Sequence, residues 1–320
     1  YAALGYVLIL IIASVDYHVF PPFGKFFYVL IAGMLIYLLQ YGDESFGAVR
    51  AIIIGPISIQ PSELAKLAVI IITADFFARN KDKMKEYSVI VRGGLVIAPL
   101  LALVVIQPDL STTIVLGVIW FSILFANGLT WKHMAMFVVM GVLLAALVFP
   151  FLEDYQKDRV FNFLNPDPEE TYGENYNVNQ AMIALGSGSW TGKGYGEGTQ
   201  VQLRYLKVRH NDFIFSSIGE ELGFMGDAII LVLLLFIIWR CLRAARLSTD
   251  RLGALLCYGV ATLIAFQAIV NIGMNLQVLP VTGLPLSFVS YGGSALITLM
   301  IGVGIVESVV AHHKVLEFDA

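Results

Sequence analysis

The residues best placed to do chemistry in this chain are ionisable groups at the ends of long apolar runs, where a charge is costly unless it is used. Asp212 is the first. It stands where a loop of about sixty residues, 152–211, gives way to the apolar segment opened by Phe213-Ile214-Phe215. A carboxylate at such a boundary, partly desolvated, can accept a proton. It can equally cap the N-terminus of a helix, and local sequence does not separate the two. Glu63 and Lys66 form a second candidate, within Gln60-Pro61-Ser62-Glu63-Leu64-Ala65-Lys66. Pro61 suits the first turn of a helix and Glu63 the positive end of its dipole. Their i, i+3 spacing puts Glu63 and Lys66 on one face, as an intrahelical ion pair or as the lining of a polar cavity. Arg50, ten residues upstream, reads as an interfacial anchor or as a phosphate ligand. Gln107-Pro108-Asp109-Leu110-Ser111-Thr112 repeats the device, with Asp109 reading most simply as a helix cap.

The loop before Asp212 changes character midway. Residues 153–174 hold seven acids against Lys157 and Arg159, whereas 193–209 hold Lys193, Arg204, Lys207 and Arg209 against Glu197 alone. Between them runs a glycine-rich stretch from Leu185 to Thr199. A phosphate-binding P-loop needs Gly five residues before its Gly-Lys pair and Ser or Thr after it. Here Ser187 and Gly194 occupy those places, so the nucleotide reading fails. The dinucleotide fingerprint fails too, since no strand precedes it. What is expected is a flexible segment, either a plain mobile loop or one whose glycines let backbone amides approach an anionic or sugar ligand.

These residues need elements to hold them, and composition says which. Hydrophobic residues make up 58% of the 320 and charged residues 14%, with a mean hydropathy of +0.78. Soluble domains carry about 25% charged residues, so an all-α, polytopic membrane protein is expected. Nine apolar runs are long enough to span: roughly 1–15, 23–41, 60–78, 88–106, 109–127, 132–152, 218–240, 252–279 and 286–311. Arg79, Lys81, Lys83, Lys85 and Arg92 in one short loop, and Arg240, Arg243, Arg246 and Arg251 in another, place both loops in the cytoplasm. The large loop, 153–212, then falls outside. Nine spans ending inside imply a start outside, in mid-run and at a Tyr. A missing upstream helix, ten spans in the complete protein, is the expected explanation. Cys241 and Cys257 show no metal-ligand spacing and read as buried thiols.

The motifs taken in order are Gln60-Pro-Ser-Glu63 with Lys66, Gln107-Pro-Asp109, Tyr155-Gln156 with Arg159-Val160, Gly186-Ser-Gly, Gly192-Lys-Gly, Gly198-Thr199-Gln200, His210-Asn-Asp212-Phe-Ile-Phe, Glu220-Glu-Leu-Gly and Ser290-Tyr-Gly-Gly-Ser294. Together they resemble the SEDS family (shape, elongation, division and sporulation) over essentially the whole chain. Leu279-Pro-Val-Thr-Gly-Leu-Pro-Leu286 is more similar to the rod-shape branch than to the division branch. Ala51 stands where the family usually has Trp, and Asn211, Ser287 and Ala295 replace a common Thr, Pro and Ser.

The resemblance implies a single SEDS-type transmembrane domain over 1–320, in the bacterial cytoplasmic membrane. It implies a peptidoglycan glycosyltransferase of cell elongation that polymerises lipid II onto a lipid-linked glycan strand. A class B penicillin-binding protein and the elongation machinery are the implied partners, and no nucleic acid is expected. An attacking sugar hydroxyl needs a general base, and a lipid pyrophosphate leaves without an acid if cations neutralise it. The resemblance assigns Asp212 as the base. Lys66, Arg50, Arg159 and Lys193 become candidate pyrophosphate ligands, with Asp109, Gln156 and Thr199 as further substrate contacts. Glu63 would orient Lys66, and could join Asp212 in holding a divalent cation, Mg or Mn. The competing class is a lipid II flippase, which needs substrate access from the cytoplasmic side. Glu63, Asp109 and Asp212 all map to the outer side, which favours an enzyme.

Overall fold

A computed structural model of the chain describes residues 1–41, 51–54, 57–84, 86–151, 153–165, 174–206 and 209–312. It divides into two compact units: Tyr1–Leu129, Leu235–Phe266 and Gly292–Ala320 in the first, Thr130–Leu234 and Gln267–Tyr291 in the second.

Each of the nine apolar runs holds a helix. These are α1 (Ala2–Ser14), α2 (Phe20–Tyr41), α3 (Pro61–Arg79), α4 (Tyr87–Ile106), α5 (Leu110–Ala126), α6 (Trp131–Val148), and, after the large loop, Ile214–Leu247, Arg251–Asn275 and Gly293–His312. The loop contributes α7 (Asp154–Leu164), α8 (Glu174–Ser187) and the single turn α9 (Thr199–Gln202), so the last three long helices are α10, α11 and α12. Among the described residues, five helical segments are long and apolar enough to cross a bilayer: 17–41, 87–106, α10, α11 and α12. The chain is a multi-pass membrane protein.

In the first unit α3 is the central element. Thirteen of its nineteen residues are buried, among them the charged Glu63 and Lys66. Small residues let neighbours approach, as they do between membrane helices. A Cβ on Gly24 would come within 2.6 Å of Ile71, and one on Gly93 within 2.5 Å of Phe77. Those two contacts bring α2 and α4 onto α3. Helix α1 packs on α12, where Gly5 meets Met300 and Gly304 meets Ile12. The outer faces carry large apolar side chains, Leu10 and Phe26 both 71% exposed, which suits contact with lipid. The buried side chain of Asn127 links helices, donating to Phe77 O (3.0 Å) and accepting from Arg251 Nε (2.7 Å).

The structure departs from the sequence reading in four places. Strands β1 (Ile52–Ile54) and β2 (Ile57–Ile59) form an antiparallel hairpin, Ile52 opposite Ile59, where only helices were expected. Runs of β-branched residues favour strands, and the Oγ of Ser294 ties the hairpin to α12 by donating to Ser58 O at 2.6 Å. The run 286–311 becomes helical only at Gly293, because 286–292 form turns. The run 252–279 ends its helix at Asn275, and α6 stops at Val148 ahead of a 3₁₀ turn at Phe149–Phe151 containing Pro150.

Candidate functional site

Asp212 lies in the second unit, half-buried, on a turn of residues 209–213 that leads into α10. Its backbone is held at every carbonyl. Ser217 Oγ reaches Arg209 O (3.2 Å), Tyr291 N donates to His210 O (2.9 Å), and Ser290 Oγ donates to Asn211 O (2.8 Å). Asp212 O accepts from two carboxamides, Asn271 Nδ2 at 3.1 Å and Asn275 Nδ2 at 2.9 Å. Phe213 O accepts from Ser217 N at 3.1 Å and lies 3.0 Å from Ser217 Oγ, whose one proton it shares with Arg209 O. The helix start is capped from outside, since Asn275 Oδ1 accepts from Ser216 N (3.1 Å) and Ser216 Oγ (2.7 Å). Asn275 thus satisfies one of the amides that a helix N-terminus leaves without an internal partner.

The glycine-rich stretch is not the flexible ligand cradle expected of it. Helix α10 is broken at Gly223 (φ 69°, ψ −170°), a conformation essentially restricted to glycine. The break frees backbone groups, and the loop pairs with them. Lys193 N and Gly194 N donate to Glu220 O and Glu221 O at 3.0 Å each, while Phe224 N and Met225 N donate to Ser189 O and Trp190 O at 2.9 and 3.2 Å. The fit is backbone on backbone: a Cβ on Gly188 would strike Gly219 O, and one on Gly192 would strike Glu221 O. The glycines permit a close approach to the chain's own helix. Gly223→Ala is therefore expected to lower stability by about 1–3 kcal/mol from backbone strain alone. A drop in the thermal unfolding midpoint, with faster proteolysis within 186–198, is the measurement; an unchanged midpoint would contradict the packing described.

Lys193 and Thr199 join the same assembly. The carboxylate of Glu220, fully buried, accepts from Lys193 Nζ (2.8 Å), Thr199 Oγ1 (3.2 Å), Gln200 N and Val201 N (both 3.0 Å). Lys193 Nζ also donates to Thr199 Oγ1 at 2.8 Å. A lysine ammonium has three protons, and two are spent here. Arg159, at the other side of the loop, lines a cavity of about 90 Å³ with Asn162, Asn175, Asn179 and Gln277. Gln156 takes part in the capping box that opens α7, its Oε1 accepting from Glu153 N at 3.1 Å.

The remaining candidates lie in the first unit. Lys66 Nζ donates to Glu63 Oε1 at 2.6 Å, with Lys66 wholly buried and Glu63 5% exposed. Pro61 occupies the first turn of α3 and Glu63 follows it, as the spacing predicts. Asp109 is the N-cap of α5, its two oxygens taking Thr112 N (3.1 Å) and Thr112 Oγ1 (2.8 Å). Both are engaged in the cap. Arg50 falls outside the described residues.

The model of the cell cycle protein family FtsW/RodA/SpoVE matches residues 1–315. The chain belongs to this family, the SEDS proteins. Among its SEDS relatives, the peptidoglycan glycosyltransferase MrdB of Escherichia coli K12 is 38% identical over 315 residues, 98% of this chain and 85% of that protein. A probable peptidoglycan glycosyltransferase FtsW of Hydrogenovibrio crunogenus is 36% identical over 290 residues, covering 88% and 73%. Two solved structures share the SEDS fold. One is of a peptidoglycan synthase complex that coordinates polymerisation and crosslinking, with a TM-score of 0.82 and 29% identity over 98% of this chain and 88% of that one. The other is the rod shape determining protein RodA of Thermus thermophilus, with a TM-score of 0.68 and 25% identity over 98% and 85%.

Several residues that shape this SEDS site escaped the sequence reading. Glu220 appears there only as part of a motif, and Asn271 and Asn275 are not singled out. A usable signal existed: two carboxamides four apart share a helix face, and polar groups inside an apolar run are seldom idle.

Proposed function

We propose that the chain is a peptidoglycan glycosyltransferase of cell elongation, polymerising lipid II into glycan strands with Asp212 as general base. What carries the reading is a half-buried carboxylate on a turn held at all five carbonyls, in a chain 38% identical to a peptidoglycan glycosyltransferase over nearly its whole length. A rigid backbone fixes the start of the side chain, and preorganisation of this kind is what a base within hydrogen-bond reach of its proton requires.

In the proposed reaction the acceptor sugar hydroxyl of one substrate attacks the anomeric carbon of the other. Asp212 takes the hydroxyl proton as the new C–O bond forms. The bond to the lipid pyrophosphate breaks with inversion, and the pyrophosphate carries away the electron pair. Arg159, in a cavity lined by carboxamides and by the apolar Phe163, Val178, Leu279, Pro280 and Val281, is suited to a phosphate oxygen. The third proton of Lys193 can serve the same end. Lys66, oriented by Glu63, and Arg50 are further candidate pyrophosphate ligands, and Gln156, Thr199 and Asp109 candidate substrate contacts.

The divalent cation fits less well. No group of three or more His, Cys, Asp or Glu residues able to hold a metal occurs among the described residues, and Glu63 is already bound to Lys66. No step is therefore assigned to it.

We further place nine crossings in this chain as one transmembrane domain, with 153–212 outside the cytoplasmic membrane. A class B penicillin-binding protein would crosslink the product, a pairing supported by the synthase complex that shares this fold. Purified protein and that partner, given labelled lipid II, should yield a ladder of long glycan on a gel. Translocation of lipid II across vesicles with no polymer would overturn the enzyme in favour of a flippase.

A further inference from the structure

We propose that Asn271 and Asn275 of α11 are positioning residues that set where the Asp212 carboxylate stands. The inference rests on the reading of Asp212 as the base and extends it to groups that touch no substrate. Both carboxamides are wholly buried. Each donates to the same carbonyl, Asp212 O, at 3.1 and 2.9 Å. Their remaining bonds lock them to the surroundings. Asn271 Nδ2 also donates to Leu284 O (2.8 Å), in the turn that follows α11, and Asn275 Nδ2 to Asn271 O (2.8 Å). Asn275 Oδ1 takes the amide and hydroxyl of Ser216.

One side chain therefore grips both the residue proposed as base and the first turn of the helix behind it. A carboxamide is suited to this because it offers two donors and an acceptor in one rigid plane. An aspartate in its place would set a second carboxylate against a carbonyl oxygen. A buried amide with every valence used also resists rotation, since leaving any of these groups unpaired carries a desolvation penalty. The adjoining carbonyls are held from the turn, by Ser290 Oγ at Asn211 and by Tyr291 N at His210. Leu286 N in turn donates to Ser290 Oγ at 2.8 Å. The segment 284–291 is thus the other jaw of the clamp.

A misplacement of the base by about 1 Å can cost about a hundredfold in rate. Asn275→Ala, and the milder Ser290→Ala, should lower kcat for lipid II polymerisation by about ten- to a hundredfold and about threefold respectively, with KM moving less than about twofold. Hydrogen exchange in the intact protein is the accompanying readout. Exchange in 209–217 should quicken in both variants while α3 keeps its wild-type rate. Unchanged kcat beside an inactive Asp212→Asn control would overturn the positioning role and leave the base intact. So would a fall in kcat with exchange quickened throughout, since the asparagines would then only hold the fold. Full activity in the Asp212→Asn control would instead remove the base, and the clamp with it.

Discussion

Asp212→Asn lowers kcat for glycan polymerisation by about 10²- to 10⁴-fold, the range a general base contributes, while KM and the thermal midpoint stay near wild type. The asymmetry follows from which atoms hold the turn. Its position is set by carbonyls 209–213 and their donors, and a carboxamide at 212 leaves all of them in place. Asparagine keeps the shape of the side chain but lacks the basicity. Steady-state kinetics on labelled lipid II, beside an unfolding curve for the same preparation, makes the comparison. A variant that is inactive because it is unfolded would show a lowered midpoint, and a folded variant with wild-type kcat would dismiss Asp212 from the mechanism.

Lys66→Met is expected to destabilise the protein by about 3–5 kcal/mol, because it leaves Glu63 buried with no counter-charge. The pair at 2.6 Å lies in a largely buried helix, with Lys66 at zero exposure. The double variant Glu63→Gln, Lys66→Met should recover most of that loss, since two neutral groups of similar volume can replace a buried pair at little net cost. If Lys66 also binds the departing pyrophosphate, the double variant will be stable and slow. Chemical unfolding of the two variants beside the wild type in detergent measures the first effect and the polymerisation assay the second. A single Lys66→Met variant with an undisturbed unfolding curve would show that Glu63 finds another partner.

Much of this architecture is legible in the sequence, and the reasons are physical. Long apolar runs leave few options in a bilayer, so each run contains a helix. Pro61 ahead of Glu63, and Asp109 ahead of Ser111 and Thr112, are local signals whose meaning depends on residues three or four away. Both features appear where the spacing puts them. The glycine stretch was harder to read because its partner is another part of the chain. Gly188 and Gly192 are small on account of Gly219 and Glu221, and no local pattern announces a helix broken at Gly223. The grip of Asn271 and Asn275 on Asp212 spans about sixty residues and could be read only as polar groups out of place in an apolar run. The hairpin lies in the connection between two apolar runs, too short to register as an element of its own.

A single displacement driven by one carboxylate fixes the configuration of the product. Glycan made by the purified protein from isotopically labelled lipid II can be examined by NMR at the newly formed anomeric carbon. Every new linkage should have the configuration opposite to that of the donor pyrophosphate bond. Retained configuration would require a covalent glycosyl-enzyme and a second displacement, and would contradict the single displacement.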